Sequence, residues 1–167
     1  RAWGGGLAET DAFYDLCDEY GLCVYQEWPC CWDSQKQQPK DALYECVRLN
    51  TIRMRNHPSL ILYGGGNEGN GAIEDEALNR IGCLTYEYDG TRSYFRQDGG
   101  ASGEGMVHDH IHWGGEKPEH YMTRYGFSNE KNMHEYGLDA FMNLSSVRRY
   151  ASLAEMLEWP VRSRGVI

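Results

Sequence analysis

Positive charge is scarce in this chain. Sixteen Lys and Arg face 25 Asp and Glu, giving a net charge of −9 over 167 residues. The basic residues are scattered, which argues against a nucleic-acid surface, because phosphate contacts need clustered Lys and Arg. Long apolar runs are also missing. None approaches the ~20 residues of a membrane helix, so no membrane span is expected. No signal peptide is visible, but the sequence starts at Arg1 and not at Met, which leaves the compartment open. Proline is sparse, at five residues, and no low-complexity linker interrupts the chain. None of the six Cys forms a C-x-x-C pair, and adjacent Cys30 and Cys31 are poorly placed to share one metal. Buried free thiols are the simpler reading. What remains is a chain with 41% apolar and 25% charged residues, the composition of one globular domain. An acidic balance fits a neutral or cationic small substrate.

The chain then alternates helix and strand. Thr10 is placed to cap a helix with apolar positions Phe13, Leu16, Cys17 and Tyr20, and Gly21 stops it. Leu22-Cys23-Val24-Tyr25 reads as a short buried strand that runs into Gln26-Glu27-Trp28. Residues 40 to 56 read as a helix with Leu43, Val47 and Met54 inward, ended by His57-Pro58. A strand is expected from Ser59 to Tyr63, a helix from about Ile73 to Thr85, and a strand at Arg92–Phe95. Short strands are expected at Val107–His112 and near Asn132–Tyr136, and a helix around Ser145–Leu157. Short strands that are apolar on both faces, alternating with helices, predict an α/β fold with a parallel sheet. Polar residues collect just after each strand: Arg1 and Trp3, Glu27 and Trp28, Asn67 and Glu68, Glu135. A (β/α)8 barrel builds its active site there, and a doubly wound sheet would use the same ends.

Gly64-Gly65-Gly66-Asn67-Glu68 resembles a phosphate loop at first sight. It lacks the Lys that a P-loop needs and puts a carboxylate where phosphate would lie. The glycines are better read as a bend that presents Glu68. Glu135, followed by Tyr136-Gly137, offers a second carboxylate, and Glu130 is a rival five residues earlier. Two carboxylates on separate strand ends are the minimum machinery for cleaving a glycosidic bond. His108, His110 and His112 would share one strand face and could hold zinc, but no H-E-x-x-H accompanies them. Contacts to substrate or to a polar rim are preferred, and no metal or cofactor is expected. Trp113 could stack on a sugar ring or pack in the core.

Residues 1 to 28, "RAWGGGLAETDAFYDLCDEYGLCVYQEW", resemble the β-mannosidase branch of glycoside hydrolase family 2. "RNHPSLILYGGGNEGN", "DGTRSYF" and "KNMHEYGLDAF" are similar to later strands of that family, in the same order. His134 stands where the family usually has Ser, and Gly65 and Gly66 stand where it has bulkier residues. The resemblance implies a partial (β/α)8 barrel spanning 1–167, with about strands 2/3 to 7 present and the flanking β-sandwich domains absent. Such a piece, with open sheet edges, is expected to be poorly stable and weakly active by itself. The implied activity is a retaining exo-β-glycosidase, most simply a β-mannosidase. β-Galactosidase, β-glucuronidase or exo-β-glucosaminidase activity, or a non-catalytic sugar-binding remnant holding Trp3, Trp28 and Trp113, are the alternatives. By the same resemblance Glu68 is the acid/base and Glu135 the nucleophile. Arg1 stands beside Glu135, Asn67 bonds the sugar 2-hydroxyl, and Trp3, Glu27, His112 and Trp113 contact the sugar. The implied partner is a carbohydrate.

Overall fold

The computed structural model describes residues 1–70, 74–99, 107–108, 133–135, 143–149, 151–152 and 154. Helix α1 spans Asp11–Tyr20, strand β1 Val24–Glu27, helix α2 Lys40–Met54 and strand β2 Leu60–Gly64. Helix α3 (Glu76–Tyr88), strand β3 (Ser93–Phe95), strands β4 (Val107–His108) and β5 (Met133–Glu135) and the short helix α4 (Leu144–Val147) follow. A 3-10 turn, Ser34–Lys36, precedes α2.

Strands β1, β2 and β3 form one parallel sheet in that order, so α2 and α3 are crossover connections. Ala2 extends the sheet beyond β1 through a parallel bridge to Gln26. Parallel pairing continues past the named strand ends, at Cys31 with Asn67 and at Asn67 with Asp98. β4 and β5 pair in parallel as a second, two-stranded sheet. Mixed α/β architecture with a parallel sheet therefore matches the expected class. The described residues carry these parallel strands and not a closed barrel.

The core explains why these elements form. Leu43, Val47 and Met54 line the buried side of α2, and Leu78, Ile81 and Leu84 that of α3. These recur at helical spacing and meet Val24, Leu60 and Tyr63 from the sheet. Asp75 caps α3 by accepting from the Leu78 amide at 3.0 Å. That cap starts the helix at Glu76, three residues after the expected start. At the opposite end of the sheet from Glu27, Asp89 accepts from Tyr63 at 2.8 Å and pairs with Arg92 at 2.7 Å. Arg92 also donates to the His57 carbonyl at 2.8 Å, which ties α2, β2 and β3 together.

Several details differ from expectation. In α1 the buried residues are Tyr14 and Cys17, whereas Leu16 and Tyr20 are exposed. Tyr14 turns inward because its hydroxyl meets the buried Gln26 amide of β1. Thr10 occupies the N-cap position without a side-chain bond, and its carbonyl accepts from Phe13 instead. Gly21 does close the helix, in the left-handed conformation. β1 begins at Val24, so Leu22 and Cys23 lie outside it and are exposed. Cys17, Cys30 and Cys31 are buried free thiols, while Cys23 and Cys83 are exposed and Cys46 is half-buried. Trp28, considered as a sugar platform, is fully buried, stacked on Tyr63 and hydrogen-bonded to Thr85 at 3.0 Å. Its place is in the core. The expected helix at 145–157 is described only as Leu144–Val147. Among the described residues no helix is long and apolar enough to cross a membrane.

Candidate active site

Parallel pairing aligns the C-terminal ends of the strands, and the polar residues that follow them meet there. Arg1 lies just before the Ala2 bridge, Glu27 ends β1, and Asn67 and Glu68 follow β2. Asp98 follows β3, and Glu135 ends β5.

Arg1 joins most of them. Its guanidinium pairs with Glu27 at 2.7 Å, with Asp98 at 2.9 Å and, closely, with Glu135. It also donates to the Asn67 side-chain oxygen at 2.5 Å. Its side chain is only 10% exposed, and those of Glu27 and Asp98 are fully buried. The arrangement is chemically consistent, because a planar fork of donors suits several carboxylates at once. Burial alone would lower the Arg1 pKa, but the charges of Glu27 and Asp98 and the bonds to Glu135 and Glu27 raise it. Glu27 is pushed up from its ordinary value by burial, with Arg1 and the Gly4 amide opposing and Asp98 adding to the rise. The Gly4 amide donates to Glu27 at 2.5 Å. Tyr25, buried beside Glu27 and Asp98, has its phenol pushed well up and stays neutral.

The second carboxylate stands one residue from this hub. The Asn67 amide nitrogen lies 3.5 Å from Glu68 Oε2 and 3.7 Å from Cys31 Sγ. Trp32 donates its indole N–H to the same Glu68 oxygen at 3.0 Å. Glu68 itself has φ of 47°, a left-handed conformation rare for Glu. Its amide is held by the Asp98 carbonyl at 2.8 Å, and the Gly69 amide by Gln97 at 2.9 Å.

The glycines before Glu68 are required by close approach. A Cβ on Gly64 would run into the Tyr25 hydroxyl, one on Gly65 into the Arg96 carbonyl, and one on Gly66 into the Cys30 carbonyl. Gly66 also has φ of 154°. The bend read in the sequence is thus a place where three strand ends are packed too closely for side chains. Gly4 and Gly5 play a similar part on the other side. A Cβ on Gly4 would crowd the Trp28 and Cys30 carbonyls, and one on Gly5 would enter the Trp3 ring.

A hollow of about 390 Å³ opens against Trp32, the residue bonded to Glu68, and is lined in part by Trp3, Leu7, Pro29 and Cys31. Trp3 and Trp32 meet edge to face, with ring centroids 6.0 Å apart.

Of the expected site residues, Arg1, Glu27, Asn67 and Glu135 are brought together directly, Glu68 adjoins Asn67, and Trp3 walls the neighbouring hollow. His112, Trp113 and the rival Glu130 lie outside the described residues, as do the side chains of His108 and His110. Two residues were missed. The sequence reading gives no part to Asp98 or Trp32. Parallel register points to Asp98: Gly64 pairs with Phe95, and Asn67 and Asp98 lie three residues beyond on each strand. For Trp32 there was no such signal, since the Cys31–Asn67 bridge departs by one residue from the β1–β2 register.

Comparison with known proteins narrows the class. Over 92 residues the chain is 39% identical to "Beta-mannosidase B" of Thermothelomyces thermophilus, a match over 53% of this chain and 10% of that protein. It is 37% identical over 75 residues to the β-mannosidase of Capra hircus, covering 44% of this chain and 8% of that one. Among solved structures, β-D-mannosidase from Dictyoglomus thermophilum matches with a TM-score of 0.68 at 26% identity, over 93% of this chain and 22% of the other. No family model matches. Acidic residues gathered at parallel strand ends, with these likenesses, make the chain glycoside-hydrolase-like. More narrowly, it is β-mannosidase-like in sequence and in fold. The chain spans about a tenth of the length of the curated relatives it matches.

Proposed function

We propose that the chain carries the catalytic carboxylates of a retaining exo-β-glycosidase that removes terminal β-D-mannosyl residues. The observation that carries this is the Arg1 hub, which links Glu135 to Asn67 and so to Glu68. This chain of contacts supports a site that uses two carboxylates from different strand ends. The parallel strands are taken as consecutive members of a (β/α)8 barrel domain that includes residues 1–167.

Glu135 attacks the anomeric carbon as an ionised nucleophile. Arg1 touches it and sets a positive charge beside it. Glu68, protonated, donates its proton to the departing oxygen. Water then cleaves the glycosyl-enzyme ester, with Glu68 taking the proton back. Asn67 spends its carbonyl oxygen on Arg1, and its amide N–H, which lies 3.5 Å from Glu68 and 3.7 Å from Cys31 here, is the donor that turns to the sugar 2-hydroxyl. Glu27 is fully buried and acts by fixing Arg1. Trp3 offers a flat face at the edge of the site, and the resemblance adds His112 and Trp113.

In the intact protein, Glu135→Ala should abolish hydrolysis of aryl β-mannosides, and azide should restore turnover with formation of the α-mannosyl azide. Glu68→Ala should slow substrates with poor leaving groups by about 10²–10⁴-fold. Full activity in the Glu135→Ala protein would refute the nucleophile assignment. A panel of aryl glycosides would separate mannoside from galactoside, glucuronide and glucosaminide cleavage.

A further inference from the structure

Among the described residues, three non-glycine positions have positive φ: Trp32 at 51°, Asp33 at 64° and Glu68 at 47°. Such backbone is strained, and for a bulky aromatic the conformation is a true outlier. Trp32 and Asp33 both reach the loop that carries Glu68. Trp32 donates its backbone N–H to the Asn67 carbonyl at 2.9 Å and its indole N–H to Glu68 Oε2 at 3.0 Å. Asp33 accepts from the Asn70 amide at 2.8 Å. The loop after β1 and the loop after β2 are thus locked together, and the lock turns the Trp32 indole onto one oxygen of Glu68. The residue is 67% exposed, so burial of its ring does not explain the strain.

Trp32 and Asn67 meet the same oxygen of Glu68, at 3.0 and 3.5 Å, and Arg1 joins Asn67 to Glu135. An acid/base group stands next to the leaving oxygen. Trp32, with Trp3, also walls the hollow of about 390 Å³. We propose that Trp32 is a positioning residue for the Glu68 carboxyl, and that Trp32 and Trp3 wall the subsite of the leaving group. That subsite takes a flat ring with an apolar face, either an aryl group or the next pyranose. This inference rests on Glu68 being the acid/base of the proposed glycosidase.

The test uses Trp32→Phe and Trp32→Ala in the intact protein, with kcat/KM as the readout because it reports the glycosylation step. Trp32→Phe keeps a ring but loses the donor. It should lower kcat/KM for methyl β-mannoside by about tenfold and leave the 2,4-dinitrophenyl mannoside within about twofold, since that leaving group needs little protonation. Trp32→Ala also loses the wall. It should lower kcat/KM for p-nitrophenyl mannoside and mannobiose further than Trp32→Phe does, with no added loss for the methyl glycoside. Loss on the aryl substrate alone or on the disaccharide alone would say which ring the subsite serves. An equal loss on every substrate, or no loss on any, would overturn the proposal while leaving the glycosidase reading standing. If Glu68→Ala leaves methyl mannoside hydrolysis intact, the acid/base assignment fails and the proposal fails with it. Unchanged thermal melting of Trp32→Phe guards against a folding artefact.

Discussion

A methyl group at position 66 would have nowhere to go. The Cys30 carbonyl oxygen occupies the place where its Cβ would stand, and φ of 154° disfavours any L side chain. Gly66→Ala should therefore destabilise the fold by roughly 1–3 kcal/mol or more, read as a lowered midpoint in denaturant. It should reduce activity more than stability alone explains, because Asn67 and Glu68 ride on this residue. A variant as stable and as active as the parent would contradict the packing described here. The glycines were legible in the sequence as a bend, and Asn67 and Glu68 as its cargo. What was not legible is why glycine is needed, since the obstacles come from Tyr25, Cys30 and Arg96, two of them on the stretch after or within β1 and one after β3. Such contacts exist only once register is known.

At the scale of the element, periodicity worked where a helix buries a plain apolar face. Leu43, Val47 and Met54 in α2 are buried as expected. In α1 the pattern chose Leu16 and Tyr20, and the structure buries Tyr14 instead. Tyrosine is amphipathic, so its burial depends on a polar partner, here Gln26, that a helical wheel does not see. The α2 and α3 faces are the main source of stability for the strands between them. Leu78 is fully buried, so Leu78→Ala should cost about 2–5 kcal/mol. Leu16→Ala, on the exposed face of α1, should stay within about 0.5 kcal/mol of the parent. Chemical denaturation of the two variants side by side checks this, and a comparable loss in both would contradict the burial pattern.

For the whole molecule, the buried carboxylates should shape how stability varies with pH. Asp89 has its pKa lowered: burial would raise it, but bonds from Thr91, Tyr63 and Arg92 prevail. A lowered folded value means that its contribution is present above the ordinary 3.8 and is lost as pH falls below it. Glu27 has a raised folded value, so its contribution is complete below the ordinary 4.5 and fades as pH climbs through the raised value. Stability should then form a dome, with Asp89 on the acid limb and Glu27 on the alkaline limb. Glu27→Gln, which stays neutral, should flatten the alkaline limb in pH-dependent melting and leave the acid limb unchanged. An alkaline limb of the same slope in the variant would remove Glu27 from that role.

Arg1 meets Glu27, Asp98 and Glu135, residues 26, 97 and 134 positions away along the chain. No local segment can assemble that cluster, and contacts between such distant residues carry the largest loop-closure cost. The Arg1 cluster is therefore expected to assemble late in folding. During refolding, the fluorescence of Trp28, which is buried by the neighbouring β2 and α3, should recover ahead of hydrolytic activity. A chain that has reached secondary structure and a packed core, yet lacks the last long-range pairing, would lack the assembled cluster. The shared cation thus ties assembly of the site to completion of the fold.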